Sequence, residues 1–121
     1  MRVHGFFPGL AAATVDDRLQ VAGAAFGEVV VADLPGTVRL AVVVVWSGAD
    51  EGPVELEVGV RRPDGSSAVA HRLTVLPPGR YAHEDVLVDL FEEGGHELLL
   101  AGPDGRELAA YPFGVRLVRP G

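Results

Sequence analysis

From Val54 to Val60 apolar residues take every second position: Val54, Leu56, Val58 and Val60 alternate with Glu55, Glu57 and Gly59. A side-chain period of two belongs to an extended strand with one wet face and one buried face. This alternation, punctuated by Gly, Pro and Asp, returns along nearly the whole chain and constrains the fold more than any other feature. No helical pattern competes with it; the segment "EDVLVDLFEE" is long enough only for a short helix. Even there Val86, Val88 and Leu90 alternate, and the branched β-carbon of valine favours a strand.

The run "TVRLAVVVVW" differs. Its alternate positions Val38, Leu40, Val42, Val44 and Trp46 are apolar, but so are Ala41, Val43 and Val45. Such a strand belongs at the centre of a sheet, covered on both faces for much of its length. Further strands are expected over residues 2–13, 18–32, 68–76, 84–91, 96–101 and 106–118, separated by turn signals such as Asp16-Asp17, Pro35-Gly36 and Pro77-Pro78-Gly79. About eight short strands joined in this way predict an all-β, antiparallel β-sandwich, immunoglobulin-like or jelly-roll-like, as a single domain over residues 1–121.

Pro-Asp-Gly occurs twice, at residues 63–65 and 103–105. Each suits a type I turn followed by a left-handed glycine, and their aspartates are expected to brace turns rather than to form a site. Around residues 102–106 this register sets Leu100 opposite Leu108 and Leu98 opposite Ala110, so the apolar sets agree. Around residues 62–66 it sets Leu56 opposite Arg72. Sliding by one pairs Val58 with Val69 and Val54 with Leu73, which implies a different loop or a bulge in the later strand, and two turns that are not a true repeat.

The 121 residues carry a net charge of −7, with 17 acidic side chains against 10 basic ones. All the basic residues counted there are arginine. Such a surface repels phosphate backbones, so nucleic acid is not an expected partner. Cysteine is absent, which removes disulfides, thiolate metal sites and thiol nucleophiles and is compatible with the cytosol. The longest apolar run, Leu40 to Trp46, falls far short of the roughly 20 residues a spanning helix needs. The N-terminus, broken by His4, Gly5, Pro8 and Gly9, makes a poor signal peptide. A cytoplasmic protein without membrane contact is expected.

Candidate chemistry is sparse. His4, His71, His83 and His96 match no zinc spacing. The densest cluster is His83, Asp85 and Asp89 on one face of a strand, which would make a metal-dependent enzyme. Asp50 and Glu51, or Glu92 and Glu93, are candidate calcium ligands without the oxygen density of an EF-hand. None of Ser47, Ser66 and Ser67 sits in a nucleophile elbow. Phe6-Phe7 beside Pro8, and Tyr111 and Phe113 around Pro112, are aromatic pairs flanking prolines, and proline marks strand edges and bulges. Phe6, Phe7, Tyr111 and Phe113 are therefore the candidate interaction surface if these strands lie at sheet edges, and the same Tyr111 and Phe113 face is the candidate platform for a carbohydrate or small ligand. Burial in the core is the competing reading, as is usual for isolated aromatics.

"AAATVDDRLQVAGAAFGEVVVADLP", "RRPDG", "LPPGRYAHEDVLVDL" and "GGHELLLAGPDGRELAAYPFGV" together resemble a family of small single-domain bacterial immunoglobulin-like sandwich proteins, mainly actinobacterial. The resemblance implies the sandwich and, since the family has no assigned activity, no catalytic residue or cofactor. The sequence as a whole predicts a non-catalytic structural or protein-interaction module that binds a protein partner or a second copy of itself as a homodimer. A small-ligand module and the metal-dependent enzyme are the alternatives.

Overall fold

The computed structural model describes residues 1–48, 52–76 and 79–118. Its strands are β1 (Arg2–Gly9), β2 (Ala11–Val15), β3 (Arg18–Ala22), β4 (Glu28–Val31), β5 (Gly36–Ser47), β6 (Val54–Arg61), β7 (Ser67–Val75), β8 (Tyr81–Leu90), β9 (Gly94–Ala101) and β10 (Glu107–Leu117). No helix forms among the described residues, and none there could cross a membrane.

The all-β expectation holds. The strand count rises because two expected strands each divide. Residues 2–13 become β1 and β2, and residues 18–32 become β3 and β4. Glycine permits the first break: a β-carbon on Gly9 would lie 2.6 Å from Val21 Cγ1. At the second, Gly23 (φ 62°) and Ala25 (φ 56°) are left-handed. Between the breaks, β2 and β3 form a hairpin through Asp16 and Asp17, whose positive φ angles of 50° and 59° are those of a turn matched to strand twist.

One sheet has the order β1-β5-β8, the other β4-β10-β9-β6-β7, and β2-β3 stands apart. Pairing is antiparallel except that β4 runs parallel to β10. The chain crosses from one of these two larger sheets to the other between β4 and β5, β5 and β6, β7 and β8, and β8 and β9. This is the Greek-key order of immunoglobulin-like domains rather than a jelly roll.

The core follows the alternation. Leu56, Val58, Val86, Val88, Leu90, Leu98 and Leu100 are fully buried, each worth about 1.5–3 kcal/mol relative to exposure. Strand β5 lies between β1 and β8, with Leu40, Val42, Val44 and Trp46 in the core. Its reverse face is covered as expected: Ala41 and Val43 are buried where the β2–β3 hairpin lies against β5 and β8. Thr14 on that hairpin is 3.4 Å from Nε2 of His83, the cross-strand neighbour of Val43.

The two Pro-Asp-Gly turns have the same geometry. Arg62 N–H donates to Ser66 O at 2.8 Å and Gly65 N–H to Arg62 O at 2.9 Å; the equivalent bonds run from Gly102 to Arg106 at 2.9 Å and from Gly105 to Gly102 at 3.0 Å. Both aspartates brace their turns, Asp64 accepting from Ser66 N–H at 2.8 Å and Asp104 from Arg106 N–H at 3.0 Å. The bulge expected in the later strand of the first hairpin is present, whereas the expected difference between the turns and the expected pairings beyond them are overturned. A bulge at Leu108 sets Leu100 opposite Ala109 and Leu98 opposite Tyr111. A second at Ala70 sets Val58 opposite His71, Leu56 opposite Leu73 and Val54 opposite Val75. Each extra residue shifts the alternation so that the inward positions of both strands coincide.

Hydrogen bonds from the Ser66 hydroxyl and then its backbone N–H hold the Asp64 carboxyl below the ordinary aspartate range. A depressed folded value contributes stability above the unfolded value that is lost as pH falls through the folded one. Acidification below the ordinary carboxylate range is therefore expected to weaken the fold. Asp64→Asn, which keeps an acceptor but does not titrate, should make denaturant midpoints fall less steeply with acid than in the parent. Identical pH slopes would mean that the Asp64 bonds do not couple to folding.

Candidate interaction surface

The structure separates the four aromatic residues of the expected surface. Phe6 and Phe113 are core residues, 8% and 3% exposed. Phe7 is half-buried. Half-buried Tyr111 donates its hydroxyl to Phe26 O at 2.8 Å. The exposed patch and the Tyr111–Phe113 platform are thus corrected, for a topological reason: β10 is not an edge strand but lies between β9 and β4. Pro112 fits there because Gly114 N–H reaches β4 through Gly27 O and the ladder to β4 begins only at Gly114. The missing N–H of Pro112 faces a side without a partner strand.

The polar candidates are likewise kept apart. His83 meets Thr14, and Asp89 accepts from Thr37 Oγ1 at 2.7 Å, while Asp85 is exposed beside Ala41. His4 bonds Ser47 at 2.6 Å, and His71 stands 3.6 Å from Glu84. His96 is buried against Phe113 with a ring separation of 5.4 Å, its Nδ1–H donating to Gly94 O. Glu93 accepts from Leu117 N–H at 2.8 Å. Asp50 and Glu51 lie outside the described residues. Among the described residues no three His, Asp or Glu side chains converge as a metal site.

Two of the surface depressions among the described residues bear on function. On the outer face of β6 and β7, Glu55, Glu57, Arg72, Thr74 and the 102–105 turn line a polar hollow of about 750 Å³. Within it Arg72 pairs with Glu57 at 3.1 Å. Nearby, Arg61 bonds Glu97 at 2.8 Å and Glu107 at 3.0 Å. Those bonds, Glu97 first, raise the guanidinium above its ordinary value.

The second depression is apolar, a groove of about 530 Å³ between β4 and the start of β5. Phe26, Val29, Val30, Val38 and Leu40 line it with Leu10, and Glu28 and Arg39 stand on it as the charged residues. Leu10 is 70% exposed and Val30 46%. Glu28 is engaged by Arg116 at 3.1 Å, whereas Arg39 makes no ion pair among the described residues.

Both walls of this groove are open strand edges. Gly114 and Val118 donate to Gly27 O and Val31 O. In a parallel ladder that points odd-numbered residues of β4 at β10 and turns the N–H and C=O of Glu28 and Val30 outward. Across the groove, β1 pairs with β5 only from Ala41 onward, so Gly36–Leu40 lack a partner strand on that side. The edge strands β1, β7 and β8 carry the usual guarding devices. Strand β1 has Pro8 and a bulge near His4, β7 has the Ala70 bulge, and β8 carries Glu84, Asp85 and Asp89. Strand β4 is short and its one charge, Glu28, is held by Arg116, but its Val29-Val30-Val31 run carries no proline, lysine or bulge. Sequence reasoning passed over it, although an apolar β-branched run without lysine or proline is the available signal.

Fold and groove together define the class, an immunoglobulin-like sandwich with an open, largely apolar strand edge at β4. No family model and no curated protein matches the chain. Among solved structures it is similar to a β-glucosidase from Listeria innocua, with a TM-score of 0.50 and 9% identity over 94% of this chain and 16% of that one. A mutant of a β-glucosidase from the same organism, in complex with laminaribiose, gives a TM-score of 0.51 at 10% identity over the same shares, 94% and 16%. This chain therefore spans about a sixth of the length of the enzymes it resembles in fold.

Proposed function

We propose that this chain is a non-catalytic protein-interaction module whose binding surface is the β4–β5 groove. The observation that carries the reading is the coincidence of an apolar floor with two open strand edges. A docked segment would gain apolar burial and main-chain hydrogen bonds together, the combination used in strand addition. The catalytic alternative lacks support because His83 and Asp89 are engaged by different threonines and no three such side chains converge among the described residues. The likeness to a small share of two glucosidase chains bears on fold and leaves their chemistry with them.

Selection from a displayed random-peptide library tests the reading. The parent should enrich extended β-branched sequences, and Val30→Lys, which places a charge on the open edge, should lose them. Enrichment of nothing, or of the same peptides by both proteins, would sink it.

A further inference from the structure

We infer that the groove takes the β4 strand of a second copy of this chain, the two edges pairing antiparallel about a two-fold axis so that the two five-stranded sheets become one. The inference rests on reading the groove as a protein-docking surface and names its occupant. An open edge is complementary to itself under a two-fold rotation, because each strand presents the same outward donors and acceptors to the other. With the outward groups on Glu28 and Val30, antiparallel pairing can centre on Val30, which then lies opposite the second copy's Val30.

Charge favours this occupant over an arbitrary strand. Residues 28–33 read Glu-Val-Val-Val-Ala-Asp, an apolar β-branched run with an acid at each end. Glu28 is engaged by Arg116 within its own chain, whereas neither Asp33 nor Arg39 forms an ion pair among the described residues. A second copy brings valines to an apolar groove and a free carboxylate to the neighbourhood of a free guanidinium, and receives the same in return. The aromatic pairs expected to make a dimer cannot do so, because Phe6 and Phe113 are in the core.

Sedimentation velocity from about 5 to 500 µM, spanning weak to moderate association, reads the outcome together with amide exchange at Glu28 and Val30. The parent should dimerise, with these amides protected more strongly as concentration rises. Val30→Lys should weaken the dimer at least about tenfold while melting as a folded protein, as an exposed edge substitution should. Arg39→Glu should weaken it as well, and adding Asp33→Arg should restore it, the sign of a direct charge pair. A dimer indifferent to all three changes would place self-association elsewhere and overturn the inference. A parent that stays monomeric throughout, with fast exchange at Glu28 and Val30, overturns the second copy but leaves the docking edge open. Slow exchange in a monomer would show the edge closed within the chain and overturn both readings.

Discussion

Trp46→Ala is expected to lower the free energy of unfolding by about 3–5 kcal/mol, the usual loss when a buried aromatic side chain is truncated. Trp46 is 3% exposed and belongs to the continuous core built from both sheets. Its cross-strand neighbour on β1 is Val3. The indole N–H is buried and has no hydrogen-bond partner among the described residues. Truncation therefore costs burial and packing, not a hydrogen bond, and Trp46→Phe should cost clearly less than Trp46→Ala. On the other side of the sandwich, Glu55→Ala should change stability by about half a kcal/mol or less, because its side chain is exposed and unconstrained. Denaturant melts of the three variants check the ordering. Equal losses for Trp46→Ala and Glu55→Ala would mean that the inner and outer faces are exchanged.

That ordering was legible from alternation alone, because a strand with one buried face writes its orientation into every second residue. Val54, Leu56, Val58 and Val60 point inward, and β5 is covered on both faces, as their patterns require. What alternation cannot carry is adjacency. Whether β10 is an edge depends on β4 reaching it from far away in the chain, and no local feature of Tyr111-Pro112-Phe113 encodes that. The same parallel pairing creates the open edge at Glu28 and Val30, so misjudging one end of the sheet hid the other. Pro112 did carry a true signal, a backbone position without a ladder partner. Only its extension to the neighbouring ring failed, since Phe113 points inward. The histidine cluster was unreadable for a different reason. His83, Asp85 and Asp89 do share a strand, but their partners Thr14 and Thr37 come from β2 and β5, which periodicity within β8 does not show.

Gly59 is where alternation and structure diverge most usefully, and its substitution gives the clearest test of the backbone. By period it belongs with Glu55 and Glu57 on the wet face, where alanine in place of glycine stabilises a strand by roughly 0.5–1 kcal/mol. The structure reverses that sign. Gly59 is buried, and a β-carbon there would lie 2.8 Å from the carbonyl oxygen of Ala68. The cause is the Ala70 bulge: Gly59 faces Val69 while Val58 faces His71, and the extra residue tightens the local twist so that the β7 backbone closes over the glycine. The obstructing atom is main chain, so it cannot swing aside as a long side chain would. Gly59→Ala is expected to cost about 1–3 kcal/mol, in the range for overpacking, and Gly59→Val more. Gly95 supplies the control: it lies in β9 with nothing within 4 Å of an added β-carbon, and Gly95→Ala should be neutral or gain roughly 0.5–1 kcal/mol. Denaturant midpoints that move in opposite directions for the two alanines would place the bulge at Ala70. If both rise, Gly59 stands on open surface, and the conflict between the turn at Pro63-Asp64-Gly65 and the apolar pattern beyond it must be resolved elsewhere in the hairpin.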